Sequence, residues 1–309
     1  MTAPRGVLAL LGPTASGKTA LAVSLAERLG GEVLSADAFA VYRGLDAGTA
    51  KPTAAERRGV PHHFVDERDP VDAWSAGEFA REARTRAREV LSRGRLPILC
   101  GGTGFYVHAF FEGLFEGPRR DPRIRAALAL VAARRGAPFL RKALGLLDPE
   151  IAAKVGENDA VRAARFLEVV LVSGRRPTDL FRERPGEKWE GPSVRLYLSL
   201  PRPLLYERIS RRFLGSMAAV LPAEVRGLLD MGVPPTAAAF AAIGYRETIE
   251  LLEGRLDSTE WGETVLRATR RFAKRQETWF RAEEGLVRIP ADSPEILEIA
   301  IAAARPLFY

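Results

Sequence analysis

The chain has 309 residues, 47% of them hydrophobic and 28% charged, a composition that suits a globular protein with a sizeable core and excludes a disordered one. Its formal net charge of +7 favours an anionic partner, with nucleic acid the usual candidate. A lone cysteine, Cys100, excludes a disulfide framework and a cysteine-based zinc site, and with neither a signal peptide nor a bilayer-length apolar run to read, a soluble cytoplasmic protein is expected.

Val7 to Leu11 reads as a short apolar strand. The next eight residues, Gly12-Pro13-Thr14-Ala15-Ser16-Gly17-Lys18-Thr19, satisfy G-x-x-x-x-G-K-[ST] at every fixed position, and Ala20 to Leu29 reads as a helix. Backbone N–H groups in such a loop point inward around a di- or triphosphate, and the helix N-terminus adds positive potential. Lys18 supplies a point charge and the Thr19 hydroxyl can ligate magnesium. The chain is therefore expected to handle a polyphosphate.

A second strand, Val33–Ala36, ends at Asp37. The glycine-punctuated stretch that follows, 37–52, is long and irregular, and loops of that kind are functional or disordered. Adjacent His62 and His63 have diverging side chains and no third ligand in view, which favours a structural or substrate-lining role over a metal site. A helix from Ser75 to Leu91 opens with the capping box Ser75-x-x-Glu78. A third strand, Leu96–Cys100, stops at Gly101-Gly102-Thr103-Gly104, and a helix continues through Phe111.

From Gly117 the texture becomes helical, with starts marked by Asp121-Pro122, Asp148-Pro149 and Asp159. Val194–Leu200 reads as another buried strand, with helices resuming at Pro203, a long helix over 258–281, a short strand at Leu286–Ile289 and a last helix. The expected fold is α/β: a P-loop-containing parallel sheet core covered by helices (1–116 and 192–309), with an inserted all-helical subdomain (117–191).

Strand ends in an open parallel sheet converge on one crevice, so Lys18, Thr19, Asp37 and Thr103 are expected to share a site. Asp37 and Thr103 also suit a turn cap and a helix N-cap. Leu96–Cys100 ends without the acid that usually holds magnesium in nucleotide-hydrolysing P-loop proteins, which argues modestly against a small-molecule kinase and against an RNA-binding NTPase switch, although Asp37 could serve as that acid and keeps a kinase or ATPase open. Basic residues cluster at Arg119, Arg120, Arg123 and Arg125, and at Arg162 and Arg165 three positions apart. On the long late helix, Arg267, Arg271, Lys274 and Arg281 recur opposite an apparent apolar stripe of Val265, Ala268, Phe272 and Trp279. Such faces suit phosphate-backbone contacts.

The order GPTASGKT, SAD (35–37), VYRGLDAGTAKP (41–52), PHH (61–63), GGTGFY (101–106), ND (158–159), IGYR (243–246) and KRQETWFR (274–281) resembles the bacterial tRNA dimethylallyltransferases, also called tRNA isopentenyltransferases, up to Arg281. The resemblance implies transfer of a dimethylallyl group from dimethylallyl diphosphate to the exocyclic amine of the adenine 3′ of the anticodon, in tRNAs reading codons that begin with U. It implies that residues 12–19 hold the donor diphosphate with magnesium on Thr19, that Arg212 adds a diphosphate contact, and that Asp37 and Thr103 act at the target base. By the same resemblance, Arg125, Arg162, Arg165, Gly244, Tyr245 and Arg246 contact the anticodon stem-loop, and a monomer is expected. Where the family usually has Ser after the aspartate this chain has Ala38, and Val161 stands where Gln is common.

Overall fold

The computed structural model describes residues 3–115, 117–118, 121–183 and 185–308. The chain divides into two compact units, one of residues 1–111 with 189–309 and one of residues 112–188. Arg119 and Arg120, part of the basic cluster read from the sequence, lie outside the described residues.

In chain order the first unit begins with β1 (Val7–Leu11), α1 (Lys18–Leu29), β2 (Gly31–Ala36), α2 (Ala54–Arg57), β3 (His62–His63), α3 (Ala76–Ser92), β4 (Leu96–Gly101) and α4 (Gly104–Glu112). The capping box at Ser75 is present, each of Ser75 and Glu78 accepting the other's backbone N–H. The second unit holds α5 (Pro122–Leu147), α6 (Pro149–Ala153), α7 (Ala160–Ser173) and α8 (Pro177–Glu183). The chain then returns through β5 (Ser193–Ser199), α9 (Arg202–Arg212), a π-helical turn at Phe213–Met217, α10 (Ala218–Asp230), α11 (Tyr245–Leu252), α12 (Ser258–Arg281), β6 (Leu286–Pro290) and α13 (Ile296–Ala304).

The six strands form one parallel sheet in the order β3-β2-β4-β1-β5-β6. Every residue of β1 and β4 is buried, because helices cover both faces of a parallel sheet and leave no polar alternation to read. On one face Leu8, Leu10, Ile98 and Leu196 pack with Leu21 and Leu25 of α1 and Ala300 and Ala304 of α13. No helix among the described residues is long and apolar enough to cross a membrane.

The apolar stripe expected on α12 is displaced. The buried residues are Trp261, Val265, Thr269, Ala273, Gln276 and Phe280, while Trp279 is 39% exposed. Hydropathy misplaces the stripe because two of its members are polar and are satisfied internally: Thr269 Oγ1 donates to Val265 O, and Gln276 bonds outside the helix.

In the helical unit Asp121, Asp148 and Asp159 are all side-chain N-caps. Gly136, at φ 78°, breaks the helical geometry of α5 two residues before Pro138. The core is Leu140 and Leu144 against Ile151, Val155, Ala163 and Leu167. Asp148, 1% exposed, accepts from Ile151 N at 3.1 Å and from Thr178 N and Oγ1 at 2.8 and 2.7 Å, tying α6 to α8. Burial opposes its charge, yet the hydrogen bonds from Thr178 and Ile151 outweigh it and hold the carboxyl below the usual range. Replacing Asp148 by Ala is therefore expected to cost about 2–3 kcal/mol, a cap plus buried charged hydrogen bonds, in denaturant unfolding. The wild-type advantage should be complete above the ordinary aspartate pKa and vanish as pH falls through the lowered native value.

Candidate active site

The phosphate loop leaves β1 at Gly12 and enters α1 at Lys18. Ala15 (φ 63°) and Gly17 (φ 91°) are both left-handed, which curls the loop so that successive N–H groups face one hollow. α1 begins at Gly17 without a side-chain cap, so its first N–H groups are left for a ligand. Ser16 Oγ is buried without a hydrogen-bond partner, and Thr19 is exposed. A Cβ on Gly12 would stand 2.9 Å from Leu198 O, so neighbouring β5 presses directly on the loop.

Lys18 Nζ donates to Pro13 O at 2.6 Å. Burial of its ammonium lowers its pKa to about 8, against the field of Asp37, which raises it, and with Arg212 adding to the fall. Arg212 reaches the loop from the last turn of α9, where its Nη2 donates to Thr14 Oγ1 at 3.0 Å. Burial lowers the Arg212 pKa too, with Asp37 opposing. Arg208, one turn earlier, places Nη1 4.0 Å from where a Cβ on Gly17 would stand. Cys100 is also close enough to act on Lys18; burial pushes its thiol up to about 11, which makes it an inert neutral group.

Asp37 follows the last residue of β2. Its Oδ1 accepts from Phe39 N (2.8 Å) and Ala40 N (3.1 Å), so the turn-cap role is real and occupies one oxygen. Among the described residues Oδ2 has no hydrogen-bond partner. The Thr103 carbonyl accepts from Tyr106 N at 2.9 Å as α4 begins, while its hydroxyl makes no hydrogen bond among the described residues. Gly101 and Gly102 bring this turn inward: a Cβ on Gly101 would lie 2.2 Å from Ala36 O, and one on Gly102 2.8 Å from Gly12 O. The structure thus joins the phosphate loop, Asp37 and Thr103 at the carboxyl ends of β1, β2 and β4, with Arg212 beside them.

Three residues that shape this region were given no role from the sequence, although Lys51 and Gln276 lie inside the segments 41–52 and 274–281. Gln276 of α12 bonds both the phosphate loop and the turn at Gly102. Lys51 donates to Tyr42 O, Asp46 and Asp66, pinning the long segment after Asp37 around a buried ammonium. Glu224 accepts from Ala47 N at 2.7 Å and from the Tyr245 hydroxyl at 2.5 Å, docking the same segment on α10 and α11. For Glu224 and Gln276 the signal would have been a polar residue in a helix; Lys51 lies outside any helix and offered none.

The remaining expected residues are spread more widely. Tyr245 is wholly buried, and burial and Glu224 push its phenol far above the usual range, so its ring faces the interior. Gly244 is buried at φ 100°, while Arg246 is exposed. In the helical unit Arg162 and Arg125 are exposed, whereas Arg165 turns inward to Glu168 at 2.7 Å and Pro118 O at 3.2 Å. His63 accepts from Arg86 and bonds Glu32, and His62 bonds Val60 O, so both are structural.

The family model described as IPP transferase matches residues 40–283. A tRNA dimethylallyltransferase of Halorhodospira halophila is 46% identical over 94% of this chain and 94% of its own. One of Anaeromyxobacter dehalogenans is 45% identical over 93% of this chain and 95% of its own. Among solved structures, a tRNA isopentenylpyrophosphate transferase from Bacillus halodurans is similar with a TM-score of 0.71 and 37% identity over 98% of this chain and 97% of that one. A eukaryotic dimethylallyltransferase acting on tRNA gives a TM-score of 0.77 at 25% identity, covering 92% of this chain and 73% of that one.

A lysine with a pKa of about 8 is expected to take up a proton when an anion binds beside it. Affinity for inorganic diphosphate should therefore fall as pH rises through about 8, relative to Lys18→Arg, whose guanidinium stays charged. Calorimetry in buffers of different ionisation enthalpy should detect proton uptake in the wild type and none of this origin in the variant.

Proposed function

This chain belongs to the IPP transferase family of tRNA dimethylallyltransferases, and we propose that it moves a dimethylallyl group from dimethylallyl diphosphate to an adenine of tRNA, releasing diphosphate. The acceptor is the exocyclic amine of the adenine just 3′ of the anticodon, in tRNAs reading codons that begin with U. The observation that carries this reading is a cationic diphosphate cradle facing one carboxylate with a free oxygen.

An allylic carbon bears positive charge by delocalisation, so the charge that most needs stabilising in the transition state is that on the departing diphosphate. The N–H groups of Ala15 and of residues 17–19, with Lys18 and Arg212, are fixed before the donor arrives, which is preorganised electrostatic catalysis. The carbon–oxygen bond breaks with its electron pair going to diphosphate, and the adenine nitrogen attacks the carbon. An adenine amine is too weak an acid for a carboxylate to ionise beforehand. Asp37 Oδ2 instead accepts the hydrogen bond of that amine and takes its proton as the carbon–nitrogen bond forms. Thr103 Oγ1, with no hydrogen-bond partner among the described residues, orients the base.

Magnesium suits the site as a hard cation with few protein ligands. The exposed Thr19 hydroxyl would hold it, diphosphate oxygens and water completing the shell, as no group of three acidic, His or Cys side chains exists among the described residues. Its chemistry there is neutralisation of diphosphate charge.

The target base must leave its stack in the anticodon loop to reach the strand ends. Arg125 and Arg162, with charge added by Arg165, bind phosphates of the anticodon arm from the helical unit. In the other unit Arg246 makes the RNA contact of its segment, and Gly244 and Tyr245 shape the turn that presents it.

Incubating the protein with labelled dimethylallyl diphosphate and unmodified tRNA, followed by nucleoside mass spectrometry, tests the reading; absence of a prenylated adenosine ends it. Asp37→Asn keeps the Oδ1 turn cap but loses the base, and kcat should drop by about 10²–10⁴-fold with both substrates still bound. Arg162→Ala should weaken tRNA binding while leaving the donor KM unchanged, and reduce the slope of log affinity against log salt by about 1.

A further inference from the structure

Gln276 is 6% exposed on a face of α12 whose other members include Trp261, Val265, Ala273 and Phe280. An unsatisfied amide there would be costly, and both ends of this one are used. Oε1 accepts the Thr14 N–H at 2.8 Å, and Nε2 donates to Gly102 O at 2.9 Å. Each partner offers only the matching role, a backbone donor at Thr14 and a backbone acceptor at Gly102, so the carboxamide has one possible orientation.

Thr14 is held twice, its backbone by α12 through Gln276 and its hydroxyl by α9 through Arg212. Gly102 is held just as tightly, since a Cβ there would stand 2.2 Å from Gln276 Nε2. The next residue is Thr103, whose hydroxyl makes no hydrogen bond among the described residues. One side chain therefore spans from the loop that takes the leaving group to the turn that carries the base-orienting threonine. An apolar residue of equal length would fill the same space but fix neither backbone.

We propose that Gln276 is a positioning residue, a strut that sets the distance between the diphosphate cradle and the acceptor turn so that donor carbon and nucleobase meet in attacking geometry. The assignment rests on the prenyl-transfer reading. The sensitivity of transfer reactions to small misplacements makes such a strut consequential well beyond its contribution to folding.

The test compares Gln276→Met with Gln276→Glu, following inorganic diphosphate affinity, transfer kcat, the KM of each substrate and thermal unfolding. Gln276→Met keeps the volume and loses both bonds. It should unfold near the wild-type temperature, with diphosphate affinity weakened by about tenfold, kcat lowered by about ten- to a hundredfold, and the tRNA KM nearly unchanged. Gln276→Glu supplies the discriminating measurement. As a carboxylate it opposes the Gly102 carbonyl, but once protonated it accepts from Thr14 and donates to Gly102 as the amide does.

Its activity relative to wild type should therefore rise about tenfold or more as pH falls from about 8 to 5.5, recovery that packing alone would not produce. A flat ratio, or full activity in Gln276→Met, overturns the strut. A wild-type protein that binds diphosphate but prenylates no tRNA ends the transfer reading. In that case the strut is decided by diphosphate affinity: loss in Gln276→Met and pH-dependent recovery in Gln276→Glu uphold it, and unchanged affinity overturns it.

Discussion

Everything in the catalytic unit depends on how closely the carboxyl ends of β1, β2 and β4 approach one another. A parallel sheet delivers these ends to one side, but side chains would keep their connecting loops apart. Glycine at 12, 101 and 102 removes that obstacle: the Cβ atoms they lack would lie 2.2–2.9 Å from Leu198 O of β5, Ala36 O at the end of β2, Gly12 O and the Gln276 amide of α12. The approach leaves the phosphate loop and the acceptor turn sharing a backbone boundary, with Gln276 bonded across it. Gly12, Gly101 and Gly102 are therefore as much a part of the chemistry as Lys18 or Asp37.

That closeness has an electrostatic consequence. Lys18 and Arg212 are held where burial disfavours their charges, and Asp37 is the carboxylate that acts favourably on both. An ammonium bonded to its own loop carbonyl at Pro13 is a cation waiting for a better acceptor. A diphosphate supplies one, and its charge grows as the carbon–oxygen bond breaks, so attraction is greatest in the transition state. In the proposed transfer Asp37 divides its work by atom: Oδ1 fixes the turn through Phe39 and Ala40, which leaves Oδ2 for the acceptor amine. Rigidity and reactivity come from a single carboxyl group.

The sequence made five of the six strands, the phosphate loop and the three Asp helix starts of the second unit legible because each is a local pattern with a local physical cause; two-residue β3 (His62–His63) is too short to carry such a pattern. Asp37 and Thr103 were legible one step further on, through the rule that parallel strand ends converge. What escaped were side chains whose meaning depends on distant partners. Gln276 looks like a surface residue until Thr14 and Gly102 are brought beneath it, and reading α12 by hydropathy moved its buried face accordingly. Arg165 looks like a solvated cation until buried Glu168 is seen three residues on. Tyr245 belongs to a motif that suggested RNA contact, yet its ring is interior and its hydroxyl serves Glu224.

The end of β4 shows why this phosphate loop suits a transferase. In nucleotide-hydrolysing relatives of the motif, a core-strand acid near the loop holds the metal that serves phosphoryl transfer. Here the corresponding strand offers Cys100, whose buried thiol, pushed up to about 11, contributes no anion near Lys18. The carboxylate nearest the cradle is instead Asp37, on the neighbouring strand end and already half committed to a turn. Bond breaking at the allylic carbon requires a diphosphate held as an anion, with its phosphorus atoms left unattacked. For the proposed transfer, a cradle of N–H groups and two desolvated cations meets that requirement, and the β4 end, Gly101-Gly102-Thr103, offers no carboxylate to activate a nucleophile toward phosphorus.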